Sequence, residues 1–394
     1  MTLISFFDED PVDNIADLLY LQPAHCVFLG DDMVMRKRKR ALIEQFVQAR
    51  GLAVQVEFHS LPRGDIEGTL DLMRRLITSY PDSILDVSGG TELLLCAAGI
   101  ISGTYGIPLY QRNGRSSKIL WQYGCALEPK PAAVSVPEVI ALHSGAVIQD
   151  GQFLKPNLTE ALCRQIPRLW DIAREDPAQW NSTCISLGSL SEKSEAQDPL
   201  EVALSGQQKA AAFYRADRSI LAALAAEGFL LDLDDTWGGI SFRFRDADIQ
   251  MILTKAGMLL ELCTYMAAPW ADDRAVSICL DWDGLDPDGP GIQTRNELDV
   301  MLTCGMMPVC ISCKNGMVSK EALYELETVG RHFGGRYARK VLVASYVDKN
   351  ERAVQTLERR ARDMNIIPIF RVHELPFEAF ASRLEKELLT SGRV

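Results

Sequence analysis

The first 125 residues alternate between strand and helix signals with a regularity that leaves few folds open. Short apolar runs at residues 3–7, 26–29, 54–58, 83–87 and 107–110 are separated by helical stretches at 12–21, 36–51, 65–79 and 93–102. Consecutive strands joined through a helix run parallel, because the crossover returns the chain to the end it left. The pattern therefore predicts an α/β fold built on a parallel, doubly wound sheet. Ligands of such sheets sit outside the carboxyl ends of the strands. Here those ends carry Asp8-Glu9-Asp10, Gly30-Asp31-Asp32 and the run Ser88-Gly89-Gly90-Thr91-Glu92 after Asp86.

That last run is the informative one. Two glycines let the backbone turn tightly and approach a ligand closely. Ser88 and Thr91 offer hydroxyls, and the helix that follows presents free N–H groups to an anion. Phosphate or ribose binding follows, with Asp10, Gly30 and Asp31 lining the same edge. A tight strand-to-helix turn with Thr91 as its N-cap reads equally from these residues. The run is not G-x-G-x-x-G, so a nicotinamide cofactor has little support.

The second informative stretch lies in the C-terminal third. Residues 296–300 and 308–314 read as two strands joined by a turn at Cys304-Gly305. Side chains alternate along a strand, so Glu297 and Asp299 are expected on one face, with Leu298 and Val300 on the other. Likewise Ser312 and Lys314 oppose Ile311 and Cys313. Acids beside a lysine and a hydroxyl in an apolar sheet are costly unless paired or bound to a metal. A divalent-metal site that activates water against a phosphodiester explains them. An ordinary amphipathic hairpin, or a surface ion pair of Asp299 with Lys314, remains the alternative. Upstream, an apolar helix expected over 247–266 carries a single inward candidate, Glu261, which also reads as a helix-surface glutamate. Oxygen-rich sites suit Mn²⁺ or Mg²⁺ better than zinc. The five histidines show no ligand spacing.

Helix, hairpin with Asp and then x-Lys, helix, strand is a layout that resembles the PD-(D/E)XK nuclease core. The stretch 296–316, with Phe333-Gly334-Gly335 downstream, resembles the nuclease half of CRISPR ancillary effectors that join such a core to a CARF sensor domain. The Ser88–Glu92 turn likewise resembles the ligand loop of CARF domains, which bind cyclic oligoadenylates at the two-fold axis of a dimer. The resemblance implies an α/β chain: a Rossmann-like doubly wound CARF domain followed by an α/β restriction-endonuclease-like domain. It implies Asp299 as the metal carboxylate, Lys314 as the catalytic lysine, Glu261 as the helix carboxylate and the Cys313 main-chain carbonyl as a further ligand. Ser312 departs from the pattern, which expects an acid there, so either Glu297, Asp281 or Asp283 supplies the second ligand, or water does, or the site is weakened. Glu92 departs too, standing where the family often has a basic residue; Arg36, Lys37 and Arg38 are candidates to compensate.

The 394 residues accommodate two or three domains. The expected division is a CARF domain over 1–140, a connecting helical and hairpin region over 141–245, and a nuclease domain over 246–394. Within the middle region, residues 189–199 read as a loop, 219–227 as a helix, and 229–233 with 240–244 as a hairpin. A net charge of −12 argues against unregulated coating of nucleic acid. It permits a local basic surface, for which Arg331, Arg336, Arg339, Lys340, Arg359, Arg360 and Arg362 are available. Ten cysteines, mostly inside apolar runs, read as reduced residues of a cytoplasmic protein. Cys310 and Cys313 point to opposite faces of one strand, which argues against a zinc site. No signal pattern opens the chain, and no apolar run reaches membrane-spanning length.

The expectation is a homodimeric nuclease, activated by cyclic tetra-adenylate, that cuts single-stranded RNA or DNA in type III CRISPR defence. One rival is a nucleotide-sensing protein with a degenerate nuclease core, favoured by Ser312. Another is a dinucleotide-dependent enzyme using the N-terminal sheet.

Overall fold

The computed structural model describes residues 1–61, 64–114, 116, 118–148, 156–282, 284–285, 295–345 and 350–390. The N-terminal alternation is as expected: β1 (Thr2–Phe6), α1 (Pro11–Leu21), β2 (His25–Asp31), α2 (Lys37–Ala49), β3 (Gln55–Leu61), α3 (Ile66–Ser79), β4 (Ser83–Asp86), α4 (Glu92–Tyr105) and β5 (Leu109–Arg112). β6 (Ile119–Tyr123) adds an antiparallel edge. The strand order is β3-β2-β1-β4-β5-β6. Its start signals are local: Asp10, Asp65 and Thr91 each cap the helix that follows with a side-chain oxygen.

The proline-rich segment after β6 leads into α5 (Val136–Leu142) and β7 (Ala146–Val147). Then come α6 (Glu160–Glu175), α7 (Pro177–Lys193), β8 (Glu201–Ser205), α8 (Gly206–Ala211), α9 (Arg218–Ala226), and the hairpin β9 (Leu230–Thr236) and β10 (Gly239–Phe244). The loop expected over 189–199 starts late, because α7 continues to Lys193. The single helix expected over 247–266 is two, α10 (Ala247–Thr254) and α11 (Met258–Met266). Lys255 adopts an extended conformation at the break, and the Ala256 carbonyl accepts from Asn315 Nδ2 at 2.9 Å instead of continuing the helix.

The chain closes with β11 (Asp273–Asp281), β12 (Arg295–Cys304), β13 (Met307–Lys314), α12 (Lys320–Gly334), β14 (Arg339–Ala344), α13 (Glu351–Asp363), β15 (Ile366–Ile369) and α14 (Phe377–Thr390). Together with β7 they form a sheet of order β15-β14-β13-β12-β11-β7. β13, β14 and β15 are parallel and the rest antiparallel.

Three apolar clusters place the sheets. One face of the second sheet packs on α6, α7, α10, α11, α14 and the β8-β10-β9 sheet. Its other face shares a core with the N-terminal sheet: Leu3, Phe28, Ile140, Leu298, Leu323 and Phe333 belong to one cluster. The far face of the N-terminal sheet is covered by α3 and α4. The two sheets are therefore joined through a continuous apolar layer that includes α1, α2, α5 and α12. Cys310 and Cys313 fall in different clusters, as alternation along β13 requires. Among the described residues no helix is long and apolar enough to cross a membrane.

Candidate functional sites at the splayed hairpin and the Ser88–Glu92 loop

β12 and β13 pair from Cys304↔Met307 up to Val300↔Ile311, and there the ladder ends. The Asp299 carboxylate takes over at the point of separation. Its Oδ2 accepts from the Cys313 backbone N–H at 2.6 Å and the Ser312 hydroxyl at 3.1 Å, and Lys314 Nζ stands 3.9 Å away. A backbone donor that would lose its strand partner is thereby satisfied. All three contacts fall on Oδ2, and Oδ1 takes none of them. The pair is neither buried nor fully wet, with side chains 35% exposed for Lys314 and 16% for Asp299. The Cys313 thiol turns the other way, toward Thr264 Oγ1 at 3.4 Å, so Cys313 serves this site through its main chain.

Simple alternation fails on the neighbouring strand. Ser277 lies in β11 at φ 48°, a left-handed conformation that costs a non-glycine residue about 1–2 kcal/mol. On either side of it, Val276 and Val300 belong to one core, while Ile278 and Leu298 belong to the other. Leu298 and Val300, expected on a common face, are thus on opposite ones: both strands roll over at the Ser277–Asp299 level. The roll aims the Ser277 hydroxyl at α11, where it donates to Glu261 Oε2 at 2.5 Å. Burial, then Asp299 and, more weakly, Glu297 push the Glu261 carboxyl up to about 7. Glu261, Glu297 and Asp299 therefore lie within electrostatic reach of one another. Asp281 does not join them. It is the ladder partner of Arg295, four residues from the Asp299 level and so roughly 13 Å along the strand. Asp283 lies outside the described residues.

Among the described residues no group of three His, Cys, Asp or Glu stands close enough to hold a metal ion. Two carboxylates whose mutual repulsion raises one of them, flanked by the Ser277 and Ser312 hydroxyls, still fit a hard cation. Mg²⁺ commonly takes one or two carboxylates and keeps several waters.

The raised Glu261 has a measurable consequence in metal-free protein. Folded Glu261 holds its proton up to about 7, against 4.5 for an ordinary glutamate. The folded state then binds more protons between those values, so the penalty is absent at low pH, grows as pH rises and is complete above about 7. In chelator, Glu261→Gln should match wild type in denaturant unfolding near pH 4 and exceed it near pH 8. The gain should be at most about 3 kcal/mol. Equal pH dependence for both proteins would show that Glu261 is not buried against like charge.

At the N-terminal sheet the Ser88–Glu92 loop is tied down from beneath. Ser88 N–H donates to Asp86 Oδ1 at 2.8 Å, and its hydroxyl accepts from the Arg112 backbone N–H at 2.8 Å. Gly90 has φ +97°, and a Cβ there would stand 2.7 Å from Phe6 Cβ. A Cβ on Gly89 would meet Asp8 Oδ2 at 3.1 Å, and one on Gly30 would meet Phe7 Cβ at 3.0 Å. Thr91 caps α4, and Glu92 is exposed in its first turn. Asp31 accepts from the Met33 and Val34 amides, at 2.9 and 3.0 Å. Arg36 caps nothing with its side chain, which donates to the Met33 carbonyl at 3.1 Å, and Lys37 is exposed beside it.

Asp10 is directed elsewhere. It is buried, caps α1, and accepts from the Arg336 backbone N–H at 2.7 Å. The Arg336 guanidinium also reaches Asp8 Oδ2 at 3.1 Å and Asp13 Oδ2 at 2.9 Å. Burial, with Asp10 and Asp8 nearby, pushes Asp13 up to about 7. Below the loop, Arg112 Nε donates to buried Asp17 at 3.0 Å, and burial and Asp86 push Asp17 up to about 8. The space enclosed among Asp8, Asp86, Ser88, Arg112 and Tyr337 is about 10 Å³, room for one water at most.

Sequence reasoning missed Ser277 and Arg112, and named Arg336 only as part of a basic surface, not as the partner of Asp8 and Asp13. Arg112 had a signal, since it ends the fifth strand at the edge already suspected. Ser277 and the Arg336 contacts had none, because each acts through a residue distant in sequence. Of the basic residues after Lys314, Arg331, Arg336, Arg339, Lys340 and Arg362 line a cleft of about 810 Å³ at the junction of the two sheets' domains. Asp8, Glu9 and Asp10 line the same cleft, and Lys314 does not.

Neither a family model nor a curated protein sequence matches the chain. Solved structures do. A protein of Vibrio cholerae, VC1899, superposes with a TM-score of 0.77 over 99% of this chain and 98% of its own, at 18% identity. Can2 from Sulfobacillus thermosulfidooxidans, solved in complex with cyclic tetra-adenylate, gives a TM-score of 0.66 over 99% of this chain and 96% of its own, at 14% identity. The chain has their fold. It is the α/β fold expected, a Rossmann-like doubly wound sheet followed by a second mixed sheet, and the likeness runs essentially end to end.

Proposed function

We propose that the chain is a cyclic-oligoadenylate-activated, metal-dependent nuclease of type III CRISPR antiviral defence that cuts single-stranded RNA or DNA as a homodimer. The observation that carries this reading is Asp299 held by Cys313 and Ser312 beside Lys314 where two strands part, with Glu261 raised next to it. Asp299, through Oδ1, and Glu261, with Glu297 nearby, would hold Mn²⁺ or Mg²⁺. Such an ion, when bound, polarises a phosphodiester and acidifies a water. Lys314 places a cation where negative charge develops on the phosphorus oxygens. Ser312 and the Cys313 amide fix the Asp299 rotamer, and Ser277 fixes Glu261.

The likeness to a protein solved with cyclic tetra-adenylate supports that ligand for the Ser88–Glu92 loop. Gly30, Asp31 and the exposed Thr91 and Glu92 rim the same strand edge. The space beneath the loop is far too small for a nucleotide, so the ligand sits on the loop's outer surface. α4 beside it is apolar nearly all round, yet Leu95, Cys96 and Ile100 are exposed. A helix of that composition belongs in an interface, which supports a second copy across it. Residues 1–140 then form the sensor, 141–245 the connection and 246–394 the nuclease. The ten free cysteines suit the cytoplasm.

Coupling between the two would pass through Asp8, which touches the Gly89 position on one side and Arg336 on the other. Arg336 precedes β14, whose neighbour β13 carries Lys314. The test is a cleavage assay with Mn²⁺, labelled single-stranded RNA and DNA, and cyclic oligoadenylates of different ring size. Cleavage should appear with cyclic tetra-adenylate and be absent without it; silence with every ring size overturns the reading. Ser312, and the absence of a three-acid group among the described residues, favour a second reading, a messenger-binding regulator with a degenerate core. Calorimetric titration showing no Mn²⁺ binding to wild type would favour that version.

A further inference from the structure

We infer that a cleft between the Met317–Val318 connection and α13 is a subsite for one unstacked nucleotide of a single-stranded nucleic acid. The inference rests on the nuclease reading for the identity of the ligand, and on independent observations for the site. The cleft encloses about 450 Å³. Met317, Val318 and Leu357 provide apolar walls, and Arg352, Thr356 and Arg360 provide polar groups. Among the described residues no acidic side chain lines it, in a chain of net charge −12. Arg352, Thr356 and Arg360 are spaced four residues apart on one face of α13, so the two guanidiniums can stand about 12 Å apart along the helix. Among the described residues no salt bridge or side-chain hydrogen bond engages either guanidinium, although Glu321 lies within electrostatic range of Arg360.

Position argues for the same ligand. Lys314 ends β13 at its carboxyl end, paired with Ala344 at the end of β14, and the Ser345 N–H donates to the Lys314 carbonyl at 3.0 Å. α13 begins at Glu351, six residues after Ser345 in sequence. Met317 is three residues beyond Lys314, at most about 10 Å of chain. Parallel strands present ligand sites at this end. A strand whose scissile phosphate lies at Lys314 therefore passes the cleft with a neighbouring nucleotide. An apolar slot between arginines suits a base inserted face-on with its phosphates outside. A duplex, whose bases are stacked inward, could not use it.

The experiment measures binding by fluorescence anisotropy, in chelator so that nothing is cut, with the full-length protein. The probes are a labelled oligothymidylate and an abasic oligonucleotide of equal length. Wild type should bind the oligothymidylate in preference to the abasic probe by about tenfold, the low end expected for one enclosed base. Arg352→Gln/Arg360→Gln should weaken both probes and lower the salt slope by about 0.7 for each phosphate no longer neutralised. Met317→Ser should reduce the preference for bases while sparing the abasic probe. These residues sit at the surface, and unchanged circular dichroism confirms folding. Wild-type affinity and slope in the arginine variant, or equal binding of both probes by wild type, overturns the subsite. Arginine-dependent, base-preferring binding with no cleavage under any activator leaves the subsite standing and removes the nuclease reading; cleavage with arginine-independent binding does the reverse.

Discussion

Asp299→Asn is expected to abolish activator-dependent cleavage while leaving the protein folded. Asparagine keeps an oxygen acceptor for the Cys313 amide and the Ser312 hydroxyl, so the parting strands stay satisfied. It removes the charge that faces Lys314 and that any cation would require. Losses of about a hundredfold to a thousandfold follow from removing one electrostatic group at a reacting phosphate or acyl centre; losing a metal ligand should reach the upper end. Asp299→Ala is the poorer variant, because it also strands a backbone donor at a cost of about 1–3 kcal/mol. Lys314→Ala should be similarly inactive. Glu261→Gln should stabilise the metal-free fold at alkaline pH even as it lowers activity, a divergence that a purely structural glutamate would not show. Cleavage at the wild-type rate in Asp299→Asn and Lys314→Ala would remove the splayed hairpin from consideration as the catalytic site.

The second large effect should come from Arg336, far from that hairpin. Arg336→Ala strands Asp8 and Asp13, whose side chains are only 13% and 12% exposed, without their cation. Arg336 is itself 54% exposed, so water screens part of the interaction, and the stability loss should be held to about 1–2 kcal/mol. The functional loss should be larger. If the messenger's arrival at Gly89 is passed on through Asp8, activation should fall by about tenfold or more, within the usual range of coupling between sites. Messenger binding should weaken by a comparable factor, since coupling between binding equilibria is reciprocal. The double-mutant cycle with Asp8→Asn decides the route. Asp8→Asn/Arg336→Ala should be no worse than the poorer single variant, whereas simple additivity would place the coupling elsewhere.

Much of the architecture was legible because its signals are local. Apolar β-rich runs ending in Asp or Gly, followed by capped amphipathic helices, specify a parallel sheet without reference to the rest of the chain. The hairpin at Cys304-Gly305 was legible for the same reason. In the middle region α9 and the β9–β10 hairpin were legible too, but α6 and α7 were not. α6 contains Pro167, which reads as a breaker, and α7 is rich in Asn, Ser and Thr, whose side chains compete with helical hydrogen bonds. Both helices stand because they bury Trp170, Trp180 and Leu187 against the second sheet, a gain no window of sequence records.

The sites divide in the same way. Sequence singled out Asp299, Lys314, Glu261 and the Ser88–Glu92 turn, because charge in an apolar strand or helix and a glycine pair at a strand end are anomalies visible in one dimension; the roles of the three charged residues are what the resemblance implied. Only the tertiary structure decided that Ser277 rolls two strands to bring Glu261 beside Asp299, that Asp10 is absorbed into a helix cap and a domain contact, and that Arg336 crosses to Asp8 and Asp13. Those outcomes depend on which distant groups share a dry space. Burial and like charge there set the protonation of Glu261 and Asp13, and neither exists until the chain has closed on itself.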